Sequence, residues 1–132
     1  MSDIEQNKAV VAQFWEHFSN SDFDSALALL SEDATWWIAG TTDISGTYSK
    51  QEFAELAKGI GENTVEGIDV KAIRVTAEDD RVAVEAVSYG KMKNGKVYNN
   101  SYHLQHVVRD GKLIEIKEYL DTQHVQDIFG SD

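Results

Sequence analysis

The sequence predicts an α+β domain in which three amphipathic helices pack on a curved, mostly antiparallel sheet. Apolar residues recur at helical spacing through the first half of the chain and alternate at strand spacing from Val65 onward. The strand-like runs are separated by Asn-Gly and Asp-Gly pairs, which are hairpin signals. A length of 132 residues fits one domain, residues 1–132, with no room for a second core.

A first helix is expected from about Ile4 to Phe18, because Val11, Phe14, Trp15 and Phe18 share one stripe. The polar break Ser19-Asn20-Ser21-Asp22 caps a second helix carrying Phe23, Ala26, Leu27 and Leu30. Ala34 to Ala39 is short, aromatic and strand-like, and a loop follows from Gly40 to Tyr48. Ser49 with Glu52 forms a capping box for a third helix that buries Phe53, Leu56 and Ile60, with Gly59 and Gly61 marking its end. Four strands follow: Val65–Ala77, Arg81–Met92, Val97–Arg109 and Lys112–Leu120. The tail Thr122–Gly130 reads as a short helix capped by Asp121 or Thr122, placed to cover a pocket mouth or to pack on the sheet edge.

Turn length sets register, and register sorts the faces. A two-residue turn at Asn94-Gly95 places Val87 opposite Tyr102, Glu85 opposite Leu104 and Tyr89 opposite Asn100. A three-residue loop at Arg109-Asp110-Gly111, with Gly111 left-handed, places Tyr102 opposite Glu118. Glu85, Val87, Tyr89, Asn100, Tyr102, Leu104, His106, Ile114, Ile116, Glu118 and Leu120 then share the face expected beneath the helices. His103, Gln105, Val107, Leu113 and Tyr119 share the outer one.

Lys and Arg number 12 against 23 Asp and Glu, a formal net charge of -11, and no basic stripe interrupts this field. Phosphate backbones are repelled, so no nucleic-acid partner is expected; a small apolar or aromatic molecule suits the surface better. No cysteine is present, which removes disulfides and thiolate chemistry. The four histidines lack ligand spacing, so no metal is expected, nor any other cofactor. No apolar run approaches the roughly 20 residues of a membrane span, and the polar N-terminus lacks a secretory core. The expectation is a cytoplasmic protein without a membrane partner.

The segment SNSDFDSALALLSEDATWW, the capping-box helix after Gly46-Thr47-Tyr48 and the terminal DGK…EYLDT resemble the nuclear-transport-factor-2-like superfamily, within it the SnoaL-like polyketide cyclase and ketosteroid-isomerase-like group. The resemblance covers nearly the whole chain. It implies a cone-shaped α+β barrel around an apolar cavity, and a homodimer formed through the outer sheet face. It specifies activity poorly. A steroid isomerase of this group needs tyrosine at Phe14 and a carboxylate at Ile38; a limonene-type epoxide hydrolase needs Arg and Asp at Glu85 and Val87, and Tyr and Asn at Trp36 and Ile38. Only the last acid, Glu118, matches, and a cyclase-like carboxylate at that position remains open.

Glu118 is therefore the leading candidate, as a general acid or base whose pKa burial would raise. A hydrogen bond from cross-strand Tyr102 gives it a structural reading instead. Glu85 is either a second catalytic carboxylate in the same pocket or the cross-strand ion-pair partner of Arg74, the latter favoured. Trp36, Ile38, Tyr48, Tyr89, Asn100, His106 and Phe14 are the expected ligand-binding residues, giving apolar walls with polar handles. His106 is also readable as a packed histidine well along the sheet from Glu118. If the protein is an enzyme, cofactor-independent isomerisation, cyclisation or dehydration is expected; otherwise it is a ligand-binding or dimerisation module.

Overall fold

A computed structural model describes residues 3–131; Met1, Ser2 and Asp132 of the expected 1–132 unit lie outside them. Helix α1 (Asp3–Ser19) buries Val11, Phe14 and Trp15 on the predicted stripe. Asp22 caps α2 (Phe23–Ala28), its carboxylate accepting from the Ser25 amide. Strand β1 (Leu30–Ile38) begins earlier than its aromatic core suggests, so Leu30 belongs to the sheet and not to α2. Part of the expected loop is strand β2 (Gly46–Ser49). Both halves of the Ser49–Glu52 capping box form at the start of α3 (Lys50–Glu62).

Helix α3 ends at Glu62, one residue past Gly61, with Asn63 as its C-cap. A β-carbon at Gly61 would stand 3.2 Å from the Phe23 ring, so this glycine serves close helix packing within the helix. Strands β3 (Asp69–Glu78), β4 (Arg81–Lys91), β5 (Val97–Tyr98), β6 (Ser101–Arg109) and β7 (Lys112–Leu120) follow, then α4 (Thr122–Phe129), capped by Asp121.

The strands run β2-β1-β7-β6-β4-β3, with β5 on the end of β4. Among the described residues only the β1–β7 pair is parallel. The sheet is open, with β2 and β3 at its edges. Helix α1 lies across β3, β4 and β6, and α3 lies over β1 and β2. Phe14, Leu104, Leu113, Ile116, Val82 and Val108 form the fully buried centre.

Two turns differ from expectation, and each difference moves side chains. Met92 N–H donates to the Lys96 carbonyl, closing a three-residue loop in which Gly95 has φ +91°. The register beyond it pairs Ala86 with Tyr102 and Glu85 with His103. One residue of slip exchanges the faces of β4. Val82, Val84, Ala86 and Ser88 point inward; Glu85, Val87 and Tyr89 point outward, Tyr89 with 57 % of its surface exposed.

At the other hairpin Asp110 (φ +51°) and Gly111 (φ +77°) make a two-residue turn. A bulge between Val107 and Val108 then shifts the pairing by one. The expected parity of β6 against the far end of β7 is thereby kept, but the register is not: Leu104, not Tyr102, faces Glu118. Nearer the turn the bulge sends Leu113 inward to complete burial, and leaves Ile114 half-buried.

Candidate functional site

Between the inner sheet face and the helices lies a cavity of about 70 Å³. On the scale of 10–15 Å³ per water, that is space for roughly five waters or a ring-sized organic molecule. The sheet contributes Trp36, Ile38, Tyr102, Leu104, Glu118 and Leu120 to its wall; α3 contributes Phe53, Leu56, Ala57 and Ile60, and α4 contributes Val125 and Phe129. These residues come together because β1 and β7 run parallel with Trp36 beside Ile116 and Ile38 beside Glu118, while α3 crosses above them.

Glu118 is the acidic side chain in this otherwise apolar and aromatic wall. Trp36 Nε1–H donates to its Oε2 at 2.6 Å. The indole is itself held firmly: Phe53 stacks on it at 3.7 Å with planes 9° apart, and Phe14 and Trp15 flank it at 5.6 and 5.7 Å. No other hydrogen bond reaches the Glu118 carboxylate among the described residues, although the Ala39 N–H donates to its backbone carbonyl at 3.0 Å. Among the described residues no fully buried side-chain oxygen or nitrogen lacks a partner, so the unbonded Oε1 is not fully sealed, and Glu118 lines the cavity. Burial raises the Glu118 pKa to about 7, and the Trp36 hydrogen bond partly opposes that rise.

The expected Tyr102–Glu118 hydrogen bond is not made. Tyr102 O–H donates to Ser88 Oγ at 3.0 Å and its oxygen lies 2.6 Å from the Tyr98 hydroxyl. With the Tyr102 proton committed to Ser88, the Tyr98 proton must lie towards Tyr102. Asn100 Nδ2 donates to the Tyr98 oxygen and to the Asp121 carbonyl, while its Oδ1 accepts from the Ser101 and Asp121 amides. Asn100 thus pins the β5–β6 corner to the start of α4 and leaves nothing for a ligand. Desolvation raises both tyrosine pKa values, and the nearby Glu118 adds to the rise.

Of the residues expected at the site, Glu118, Tyr102, Trp36 and Ile38 line the cavity. Glu85 and Tyr89 are corrected to the outer face, where Glu85 stands opposite Arg74 in register but, among the described residues, makes no ion pair with it. His106 is a diagonal neighbour of Glu118, since it faces Ile116 while Leu104 faces Glu118, but it is sealed in the core. Its Nε2 accepts from Trp15 Nε1–H at 3.0 Å, which leaves Nδ1–H to donate to the Val82 carbonyl at 2.9 Å. Burial lowers its pKa to about 4. Phe14 packs behind Trp36, and Tyr48 does not line the cavity; its O–H donates to the carbonyl of Ile44, a lining residue. Tyr98 was missed as a wall residue, although it has the same parity as Asn100 and Tyr102. Phe53 and Trp15, the supports of Trp36 and His106, were legible only as core.

The SnoaL-like domain model matches residues 11–116, and the chain belongs to that family. The match ends two residues before Glu118. No curated protein matches the sequence significantly. Among solved structures, an NTF2-like protein from Anabaena variabilis is 25 % identical over 92 % of this chain and 94 % of its own, with TM-score 0.77. A candidate polyketide cyclase from Xanthomonas campestris is 24 % identical over 94 % and 96 %, with TM-score 0.81. PrhC from Penicillium brasilianum is 19 % identical over 96 % and 87 %, with TM-score 0.86. Such distant likenesses establish the NTF2-like α+β fold. No helix among the described residues is long and apolar enough to cross a membrane.

Proposed function

We propose that this SnoaL-like chain binds a compact apolar or aromatic molecule in the cavity and that Glu118 moves a proton on it without a cofactor, in an isomerisation, cyclisation or dehydration. The observation that carries this reading is Glu118 Oε1, a carboxylate oxygen left without a hydrogen bond by the protein, on a residue that lines an otherwise apolar cavity. A pKa near 7 suits such a group to accept and return a proton at neutral pH. Trp36, Ile38, Phe53 and Leu104 supply the walls that orient the molecule and exclude water. The chain acts as one cytoplasmic domain, and pairs through its outer sheet face, where Val87, Tyr89 and Tyr119 are exposed.

The test is a thermal-shift screen of small ketones and aromatics, followed by turnover assays on the binders with wild type and Glu118→Gln. Removing an acid–base group lowers turnover by about 100-fold or more. Binding by both proteins with turnover by neither would replace the enzyme reading with a ligand-binding module. That second reading is favoured by the Tyr98, Tyr102 and Asn100 network, which is satisfied within the protein. Sedimentation at micromolar concentration tests the homodimer, and a strict monomer removes it.

A further inference from the structure

Trp36 is a pure donor, and its indole cannot turn away because Phe53 covers one face and Phe14 and Trp15 flank it. It therefore requires an acceptor at the position of Glu118 Oε2 whatever the state of the acid. In a neutral carboxyl group the carbonyl oxygen is the better acceptor and the hydroxyl oxygen the donor. The carbonyl is thereby drawn to Oε2, and the proton is left on Oε1. We propose that Trp36 is a positioning residue that assigns the Glu118 proton to Oε1, so that one atom shows the cavity a donor when the acid is neutral and an acceptor when it is ionised. The ligand class follows: a neutral molecule of ring size carrying one polar group, taken up as an acceptor in one state and as a donor in the other. This rests on the cavity being the ligand site, and not on turnover there.

The surroundings of Glu118 leave this choice to the acid itself. From β1 it meets Trp36 and Ile38, and from β6 it meets Leu104 with Tyr102 and His106 on the diagonals. From α3 and α4 the wall is Phe53, Leu56, Ala57, Ile60, Val125 and Phe129, none of them titratable. Tyr98, Tyr102 and Tyr48 feel its charge but titrate far above neutrality in the neutral form, and His106 is held neutral by its two partners. A second anion in the cavity would meet Glu118 with no cation to offset it, and the net charge of -11 adds to that exclusion.

The consequence reaches the standard variant. In Glu118→Gln the Trp36 N–H draws the amide carbonyl to Oε2, so the amide N–H₂ must point into the cavity. The test measures dissociation constants of phenol, a donor, and cyclohexanone, an acceptor, for wild type at pH 5.5 and 8.5 and for Glu118→Gln at both. Wild type should favour phenol at pH 8.5 by about tenfold, the effect of one charge-assisted hydrogen bond. It should favour cyclohexanone at pH 5.5, and Glu118→Gln should favour cyclohexanone at both. In parallel, the Trp36 indole N–H resonance should titrate with Glu118 in wild type and stay flat in Glu118→Gln. A Trp36→Phe, Glu118→Gln double variant frees the amide to turn and should lose the fixed preference. An unchanged phenol-to-cyclohexanone ratio across pH and variant, an indole resonance that does not move, or no binding of either probe overturns the proposal. Failure of turnover alone leaves these readouts standing and removes only the enzymatic reading.

Discussion

His106 and Glu118 are diagonal neighbours on the same inner sheet face, and burial moves both towards their neutral forms. They differ in what they still have to offer. Both nitrogens of His106 are spent, on Trp15 and on Val82, and none of its surface is exposed. Glu118 has one oxygen on Trp36 and the other without a hydrogen bond, on the wall of a cavity. The same desolvation thus makes a structural strut of one residue and a chemical group of its neighbour. Hydrogen-bond satisfaction separates them, where the shift towards the neutral form does not.

The largest expected effect tests the strut. His106→Ala leaves the Trp15 N–H and the Val82 carbonyl unpaired around a new void, and should cost about 3–5 kcal/mol in urea unfolding at pH 7.5. Glu118→Gln should act in the opposite direction. It should gain roughly 1–3 kcal/mol at pH 8, where wild type must keep a half-buried, desolvated carboxylate, and almost nothing at pH 4. A Glu118→Gln loss as large as that of His106→Ala would erase the distinction.

The pH profiles sharpen it. The folded pKa of Glu118 lies above its unfolded value, so its contribution is fully present below pH 4.5 and is lost as pH rises towards 7. The folded pKa of His106 lies below its unfolded value, so its contribution is present above pH 6.5 and is lost as pH falls towards 4. The two slopes oppose one another over nearly the same window. Wild-type stability should therefore vary little between pH 4.5 and 6.5, while Glu118→Gln should lose stability steadily as pH falls, by chemical denaturation at each pH. A flat Glu118→Gln profile would show that His106 is not held neutral by the fold.

Smaller effects complete the series. Tyr98→Phe removes a hydroxyl from a satisfied network and should cost about 1–2 kcal/mol by thermal unfolding, with little change in ligand affinity. A tenfold loss of affinity would move Tyr98 from strut to ligand contact. Glu85→Gln, on the outer face, should stay within about 0.5 kcal/mol and leave binding untouched. A binding defect there would restore Glu85 to the site.

Much of this molecule was legible in advance where local chemistry decides structure. The stripe of α1, the Ser49–Glu52 box, the hairpin positions and the inward parity of Glu118 on β7 all depend on near neighbours in the chain. Glu85 and Tyr89 were misplaced because Asn94-Gly95 closes as a three-residue loop, and one residue of slip reverses a whole strand. Turn composition permits both closures. The buried Val82, Val84, Ala86 and Ser88 select the actual one, since these side chains fit beneath the helices where Glu85 would leave a bare charge.

Sequence by itself thus determined most of the elements, their order, the family and the acid that stands out from an apolar strand. Tertiary structure alone decided that Trp36 holds that acid, that Tyr102 answers to Tyr98 and Ser88, and that His106 has no free nitrogen. The reason is physical. Element identity arises from propensities read over a few residues, whereas a hydrogen bond between positions 36 and 118 exists only once a parallel β1–β7 pairing and a helix above it have brought those atoms within reach.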